Sequence, residues 1–128
     1  RGGPDFRLGA WQGFEGEDME ATIDLGSSTE LHRLALGCLQ DQNSWIFMPA
    51  RVSFEISLDG VTFSSAGSAT SGVDPHEDGA ILRDCEVRLK GALARYVRVR
   101  AESLRSCPAW HKGAGNKCWI FVDEVTAE

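Results

Sequence analysis

Apolar and polar residues alternate along most of this chain, with the period of two that is typical of β-strands with one buried face. The clearest amphipathic segment is 52–58, and the Asp59-Gly60 pair that follows it indicates a hairpin turn. Helical periodicity is nearly absent. The alternation predicts strands at 19–25, 34–38, 52–58, 81–89, 96–101 and 119–122.

Many short strands joined by turn-rich connections favour one all-β sandwich of the jelly-roll type, built from two packed antiparallel sheets. The segment 119–122 is apolar on both faces, as expected for a strand at the centre of a sheet. We expect Trp11 and Trp119 in the core, since each borders an apolar or strand-like segment. Further residues predicted between the sheets are Phe54, Ile56, Val97, Val99 and Phe121.

Three long connections lie between the predicted strands, at 40–49, 67–79 and 102–117. Residues 64–79 are rich in Ser, Gly and Ala, so we expect a mobile surface loop there. The acidic segment 15–18 favours a solvated turn, because it lacks the ligand spacing of a calcium-binding loop.

The composition narrows the possible functions. A chain of 128 residues is long enough for one domain with one core and too short for two. The net charge of -6 repels phosphate backbones, so we do not expect nucleic acid as a partner. No apolar run approaches the roughly 20 residues of a membrane helix, so we do not expect membrane insertion. The first five residues are not a signal peptide, so a secretion signal would lie outside this chain.

The four cysteines allow two disulfides or none, and sequence alone does not choose among the three possible pairings. Cys38 and Cys85 occupy apolar positions of strand-like patterns, which predicts buried thiols. Cys107 and Cys118 flank a glycine-rich stretch, and we expect them to pair if the domain is exported to an oxidising compartment. No pair has the C-x-x-C spacing of a zinc or redox site.

No combination of residues matches a catalytic signature, so we expect a domain that is not an enzyme. Asp123 and Glu124 are adjacent on a predicted strand, so they point to opposite faces and cannot act as a carboxylate pair. The segment 113–117 faintly resembles a phosphate-binding loop but lacks its spacing and the Ser or Thr after Lys. The chain's histidines, which also match no signature, are His32, His76 and His111.

Binding is the better-supported chemistry, because two tryptophans lie in loop-like sequence. Trp45 ends the segment 41–45 and Trp110 lies in 107–112, and both segments supply polar neighbours. An aromatic ring can cover the apolar face of a sugar while amide, imidazole and ammonium groups bind its hydroxyls. Loops at the end of a rigid sandwich are where such groups converge. The candidate ligand-binding residues are Gln40, Asp41, Asn43, Trp45, Trp110, His111 and Lys117.

Motifs along nearly the whole chain occur in the order found in one family. The most specific is the ending, where a Cys-Pro-Ala-Trp-His motif at 107–111 leads to the strand 119–124. The chain resembles the discoidin, or coagulation-factor type C, domain. It is similar to the C-terminal domains of bacterial β-hexosaminidases and related secreted glycoside hydrolases. The other matching segments are 11–16, 21–26, 37–41, 44–47, 57–63 and 95–99.

The resemblance implies a jelly-roll sandwich with a binding site on loops at one end and, in many relatives, a structural calcium. Glu124 matches a late acidic residue that helps to hold this calcium, and Asp5 lies in the early loop that supplies other ligands. The chain starts inside a motif that follows a first strand, so we expect that N-terminal strand to be missing from this sequence. The resemblance also implies a secreted or cell-surface bacterial protein that binds carbohydrate and the catalytic domain of a parent enzyme.

Three functions are compatible with these residues. The first is a carbohydrate-binding module of a secreted glycoside hydrolase, which an exposed aromatic ring beside convergent polar groups would favour. The second is a structural accessory domain that braces the catalytic domain without its own ligand, which a broad apolar face without such a pocket would favour. Each loop tryptophan also has a structural alternative, in which it closes the end of the core, and His111 has one in which it binds a loop carbonyl. The third is an independent enzyme, which requires a buried acid–base pair with perturbed pKa values.

Overall fold

The computed structural model describes the backbone of residues 5–128 and the side chains of residues 12–128. This part of the chain forms six strands and one 3-10 helical turn at Gln42–Ser44. All strand pairs are antiparallel, and the order is β1-β6-β2-β5-β3-β4. The strands are β1 (Asp5–Glu15), β2 (Met19–Gln40), β3 (Arg51–Ser57), β4 (Ser64–Ala69), β5 (Ile81–Glu102) and β6 (Trp119–Ala127).

The two longest strands, β2 and β5, take part in both layers of the molecule. Their pairing is interrupted between Asp24 and Thr29 and again between Leu31 and Arg33. Before the breaks, β2 pairs with the second half of β5, which also pairs with β3, and β3 pairs with β4. After the breaks, β2 pairs with the first half of β5 on one side and with β6 on the other. Buried side chains from both halves belong to one core cluster, so the sheet folds over on itself into a sandwich. The two strands predicted at 19–25 and 34–38 are therefore one long bent strand, β2. The two predicted at 81–89 and 96–101 are likewise one bent strand, β5.

The core lies between these two layers. Phe54, Val97 and Val99 are fully buried, which confirms their predicted place, and Ile56 packs against the cluster at its edge. The prediction for Phe121 is wrong. Ile120 and Val122 of β6 face the core. Side chains alternate along a strand, so Trp119 and Phe121 face the other way.

Trp119 and Phe121 lie half-buried on the outer face of β6 rather than in the core. Their ring centroids are 5.9 Å apart, and both rings lie over Gly13 of β1, where a Cβ atom would come within 2.7 Å of Phe121. Glycine at position 13 thus leaves room for the two rings outside the sandwich. The side chain of Trp11 lies outside the described residues.

Residues 64–69 form the edge strand β4, so the loop predicted from residue 64 begins only after Ala69. The strand is built of Ser, Ala and Gly. At Gly67, whose φ is 112°, an added Cβ would touch Val87 at 3.4 Å. Composition favoured a loop because small residues carry little strand propensity, but these residues pair with β3, and the positive φ of Gly67 is one that glycine adopts readily.

All four cysteines have free thiols. Cys38 and Cys85 are buried as predicted. The expected disulfide between Cys107 and Cys118 is wrong, although both belong to one small cluster with Phe47. Ser106 pairs with Lys117, so the two cysteines sit diagonally across the strand pair, where Cα atoms are roughly 7–8 Å apart and beyond usual disulfide reach. Burial raises the pKa of both thiols, which makes them unreactive.

Within residues 5–128, no helix is long and apolar enough to span a membrane.

Replacing Phe54 by Ala tests the position of the core. Its ring is fully buried between the layers, so we expect a loss of about 3–5 kcal/mol in the free energy of unfolding, measured by chemical denaturation. Leu93→Ala is the control, because Leu93 is exposed and its truncation should cost less than about 0.5 kcal/mol. Equal losses in the two variants would contradict the described packing.

Candidate binding site

Three loops meet at one end of the sandwich, at 41–50, 70–80 and 103–118, and Gln42 joins them. Its carbonyl oxygen accepts hydrogen bonds from the His111 ring at 2.7 Å and from the Trp45 N–H at 3.1 Å. Its side-chain amide donates to the Asp78 carboxylate at 2.8 Å and to the His76 carbonyl at 3.2 Å. One residue therefore holds the three loops in a fixed relation.

His111 is a structural element of this end of the molecule. It is buried, and its Nε2 donates to the Gln42 carbonyl while its Nδ1 accepts from the Gly113 N–H at 3.0 Å. This pattern requires the neutral tautomer with the proton on Nε2. Both ring nitrogens are thus bonded within the protein, and His111 binds a loop carbonyl, which was the structural alternative for this residue.

Trp45 also packs inward. It follows the turn Gln42–Ser44 with a left-handed φ of 65°, which is uncommon for a bulky residue and is held here by backbone pairing. Its carbonyl accepts the Trp119 N–H at 2.9 Å, and its half-buried indole lies over Gly113, where a Cβ would come within 2.8 Å. Trp45 closes the end of the sandwich and holds loop 103–118 against loop 41–50.

Among the tryptophans whose side chains lie within residues 12–128, Trp110 is the one that faces solvent, with 43% of its surface exposed. Its indole stacks on the His76 ring, with centroids 3.8 Å apart and planes 21° apart, and meets Phe47 edge-on at 6.2 Å. His76 is itself held by Asp74, whose carboxylate accepts from the backbone N–H and contacts the ring at 3.0 Å. These bonds to His76 lower the pKa of Asp74. We call Trp110, His76 and Phe47 the aromatic platform.

A groove of about 210 Å³ opens beside the aromatic platform, between loops 41–50 and 70–80. Phe47 belongs to both the groove and the platform. The surface of the groove is mainly apolar, and its deepest polar residue is Gln40, which is 1% exposed. The lining residues are Gln40, Phe47, Met48, Pro49, Ala50, Thr70, Ser71, Gly72, Val73, Pro75 and Leu104.

The predicted site residues occupy different depths of this end. Gln40 donates from its amide to the Asp74 carbonyl at 2.9 Å, beneath the loops. The backbone of Asp41 pairs with Ile46 in both directions and closes the turn. Asn43 is exposed at the tip of this turn.

Lys117 lies elsewhere, with its aliphatic stem against Gly16 in the turn between β1 and β2. The structure thus brings together Gln40, Asp41, Trp45, Trp110 and His111 and leaves the Lys117 side chain on a different turn.

Sequence reasoning missed His76, Phe47 and Gln42. His76 was assigned to a mobile loop, Phe47 lay in the predicted connection 40–49 without a role of its own, and Gln42 was only one polar residue in a polar turn. Their importance depends on contacts between segments some 34 to 69 residues apart, which no local pattern reports.

Asp18 fixes the start of loop 103–118, so the acidic segment is more than a solvated turn. Its carboxylate accepts from the Ser103 N–H at 2.9 Å and from Arg100 and Arg105 at 2.7 and 3.0 Å. Burial alone would raise the pKa of Asp18, but these donors hold it below its ordinary value. The carboxylate therefore stays ionised and anchored near neutral pH.

The described side chains do not form a calcium site by themselves. Residues 12–128 contain no group of three or more His, Cys, Asp or Glu side chains close enough to hold a metal. Glu124 is buried on β6. The backbone of Asp5 on β1 pairs with Thr126, two residues after Glu124 on β6. The Asp5 side chain lies outside the described residues. Calcium takes six to eight oxygen ligands, which include backbone carbonyls and water as well as carboxylates, so the calcium expected at Asp5 and Glu124 stays a prediction.

No family model and no curated protein matches the chain, but solved structures resemble it. The module CBM32-3 of a family 31 glycoside hydrolase from Clostridium perfringens has a TM-score of 0.52 and 16% identity, covering 93% of this chain and 72% of that one. Module CBM32-1 of a family 31 glycoside hydrolase from the same species has a TM-score of 0.48 and 21% sequence identity. The match covers 93% of this chain and 75% of that module. The C-terminal domain of a chitobiase from Bacteroides fragilis has a TM-score of 0.46 and 20% sequence identity. The match covers 87% of this chain and 65% of that domain, so the chain spans slightly less than two thirds of it.

The likeness to CBM32-3 shows the fold. The chain has the β-sandwich fold of this module, which confirms the discoidin-like class expected from the motifs.

The two loop tryptophans should differ in their effect on stability. Trp45→Ala removes a ring packed between two loops, so we expect a loss of about 3 kcal/mol, near the low end for buried aromatics. Trp110→Ala removes a half-exposed ring and should cost no more than about 1.5 kcal/mol, the scale of one aromatic pair. Urea denaturation of both variants measures this difference, and a larger loss for Trp110→Ala would show that Trp110 is the structural residue.

The calcium expected at Asp5 and Glu124 stays a prediction with a direct test. A structural calcium predicts about one bound ion per chain in elemental analysis and a lower melting temperature in EDTA, because an ion that binds only the folded state stabilises it. Glu124→Gln should remove both effects. A metal-free protein whose melting temperature is the same with and without EDTA would refute the site.

Proposed function

We propose that this domain binds carbohydrate on the aromatic platform and catalyses no reaction itself. The observation that carries the proposal is Trp110, a large indole that is 43% exposed although rings of this size are usually buried. Its orientation is fixed by the stack on His76 and by the edge contact with Phe47. A flat, rigid and exposed indole matches the apolar C–H face of a pyranose ring.

Polar groups around the platform support the proposal. Asp74, Glu77 and Asp78 are exposed on loop 70–80, and Asp41 lies on the neighbouring loop. Carboxylates accept hydrogen bonds from hydroxyl groups, which a sugar carries around the rim of its ring. We expect affinities in the millimolar to micromolar range, since one sugar offers little area and polar desolvation offsets much of the gain.

The modules to which the chain is structurally similar come from glycoside hydrolases. On this basis we propose that the domain is an accessory module of such an enzyme, secreted or at the surface of a bacterium. Its role would be to hold the catalytic domain of the parent enzyme near the glycan.

The bracing alternative is supported by a different surface. Leu58, Val61 and Leu93 are exposed near the hairpin between β3 and β4, and Leu58 and Leu93 line one shallow depression. These side chains could contact another domain. They do not involve the aromatic platform, so the two functions can be tested on separate residues.

Trp110→Ala is the decisive variant for carbohydrate binding. In calorimetric titration or affinity electrophoresis with the glycans that the wild type binds, we expect at least a tenfold loss of affinity, equivalent to about 1.4 kcal/mol. His76→Ala should weaken the same ligands, because it removes the support of the indole.

Leu93→Ala is the matched control, an exposed apolar residue away from the platform, and should leave affinity unchanged. If the wild type binds no glycan on a broad array, or if Trp110→Ala binds as well as Leu93→Ala, the proposed function is wrong.

A further inference from the structure

His111 can make its two hydrogen bonds only while its ring is neutral. Its Nε2 faces the Gln42 carbonyl at 2.7 Å, and its Nδ1 faces the backbone N–H of Gly113 at 3.0 Å. A carbonyl only accepts and a backbone N–H only donates, so Nε2 must carry the proton and Nδ1 must be bare. A protonated ring carries hydrogen on both nitrogens, and its Nδ1–H would then point at the N–H of Gly113.

The surroundings of the His111 ring supply no counter-ion. The residue is 5% exposed, and its ring contacts the rings of Trp45, Phe47 and Trp110. Within residues 12–128, no carboxylate forms a hydrogen bond or an ion pair with it. A protonated ring here would lose hydration without an opposite charge in return. The titratable and charged residues on the three loops around it are Asp41, Asp74, His76, Glu77, Asp78, Arg105, Cys107, Lys112 and Cys118.

The bond between His111 and Gly113 closes the turn that carries Trp110. Trp110 directly precedes His111, and Gly113 lies beneath the indole of Trp45, where a Cβ atom would come within 2.8 Å. Opening this turn would give the Nδ1–H of a protonated ring water as an acceptor. The change would reach Trp45 through Gly113 and Trp110 through the adjoining backbone.

We propose that His111 is a pH-sensitive switch, which holds the turn 110–113 closed while it is neutral and opens the turn when it takes up a proton. The open form binds one more proton than the closed form, so the closed form is favoured at high pH and loses population as the pH falls. Histidine is the side chain whose charge ordinarily changes between about pH 5 and 8. Asp18 and Asp74 have pKa values below their ordinary ones, so both stay ionised over this range.

This switch goes beyond the proposed function, because it acts in the protein without a ligand. If the domain binds carbohydrate on the aromatic platform, a loosened Trp110 would present a less rigid surface in acid and would bind more weakly. That consequence rests on the proposed function. The switch itself is tested on the free domain, so the two proposals can fail separately.

NMR spectroscopy of the intact domain follows the ring and the turn together. Nitrogen-15 spectra report the tautomer and charge of the His111 ring, and hydrogen exchange reports the protection of the Gly113 amide. At about pH 7.5 we expect a neutral ring with its proton on Nε2 and a protected amide. At about pH 5.5 we expect a cationic ring and a protection factor at least tenfold lower, with one midpoint for both changes.

The variant His111→Asn removes the titrating ring and keeps an acceptor for Gly113. An asparagine oxygen accepts the N–H two residues further along in turns, which is the bond that Nδ1 makes here. The protection of Gly113 should therefore be the same at both pH values. The bond to Gln42 is lost, so the melting temperature of the variant is measured alongside.

The other two histidines provide the controls. His32→Asn is the same change at an exposed histidine on β2 and should keep the pH response of the wild type. His76→Phe retains a ring for the stack on Trp110 and removes the second histidine near the turn, so the response of Gly113 should also survive there.

Three results would overturn the switch. One is a Gly113 amide in the wild type that is equally protected at both pH values, whether or not the ring becomes cationic. Another is a ring and an amide that titrate with different midpoints, which needs no variant to detect. The third is a pH response that disappears in His76→Phe, since the effect would then belong to His76. A response that survives in both controls and is absent from His111→Asn supports the switch, whether or not any glycan binds.

Discussion

The pairing of β2 with β5 is the constraint on which the rest of the structure depends. Each strand contributes its two halves to opposite layers, so a single hydrogen-bonded sheet closes around one core. The breaks near Thr29 and Arg33 make this possible, because they let the strands change direction while the pairing of β2 with β5 resumes on either side. The single core cluster, with buried side chains from both halves of each strand, follows from where β2 and β5 bend.

The loops at one end face a second constraint, since irregular backbone must still satisfy its polar groups. Gln42 and His111 do this across three segments, and Asp18 does it for the start of loop 103–118. These bonds order the loops before any ligand arrives. An ordered platform loses less conformational entropy on binding, so even a small contact area around Trp110 can give useful affinity.

The sequence predicted those features that depend on local patterns. Alternation placed Phe54 and Val97 in the core, and the motifs indicated the sandwich class. Alternation failed at Phe121, because a strand that is apolar on both faces gives no signal about which face is inside. Composition failed at β4, because Ser, Ala and Gly carry little strand propensity and yet form an edge strand paired with β3. The candidate loops were located, but the inward role of His111 depends on a carbonyl 69 residues away.

The order of the strands has a consequence for how the protein is made. The second half of β2 pairs with β6, and Leu34 lies opposite Ala127, so early and late parts of the chain must meet before one layer is complete. Contacts of such long sequence separation slow folding, because loop closure costs entropy before any contact is gained. During synthesis, this edge of β2 stays unpaired until β6 has left the ribosome, and an unpaired strand edge is open to aggregation and to chaperones.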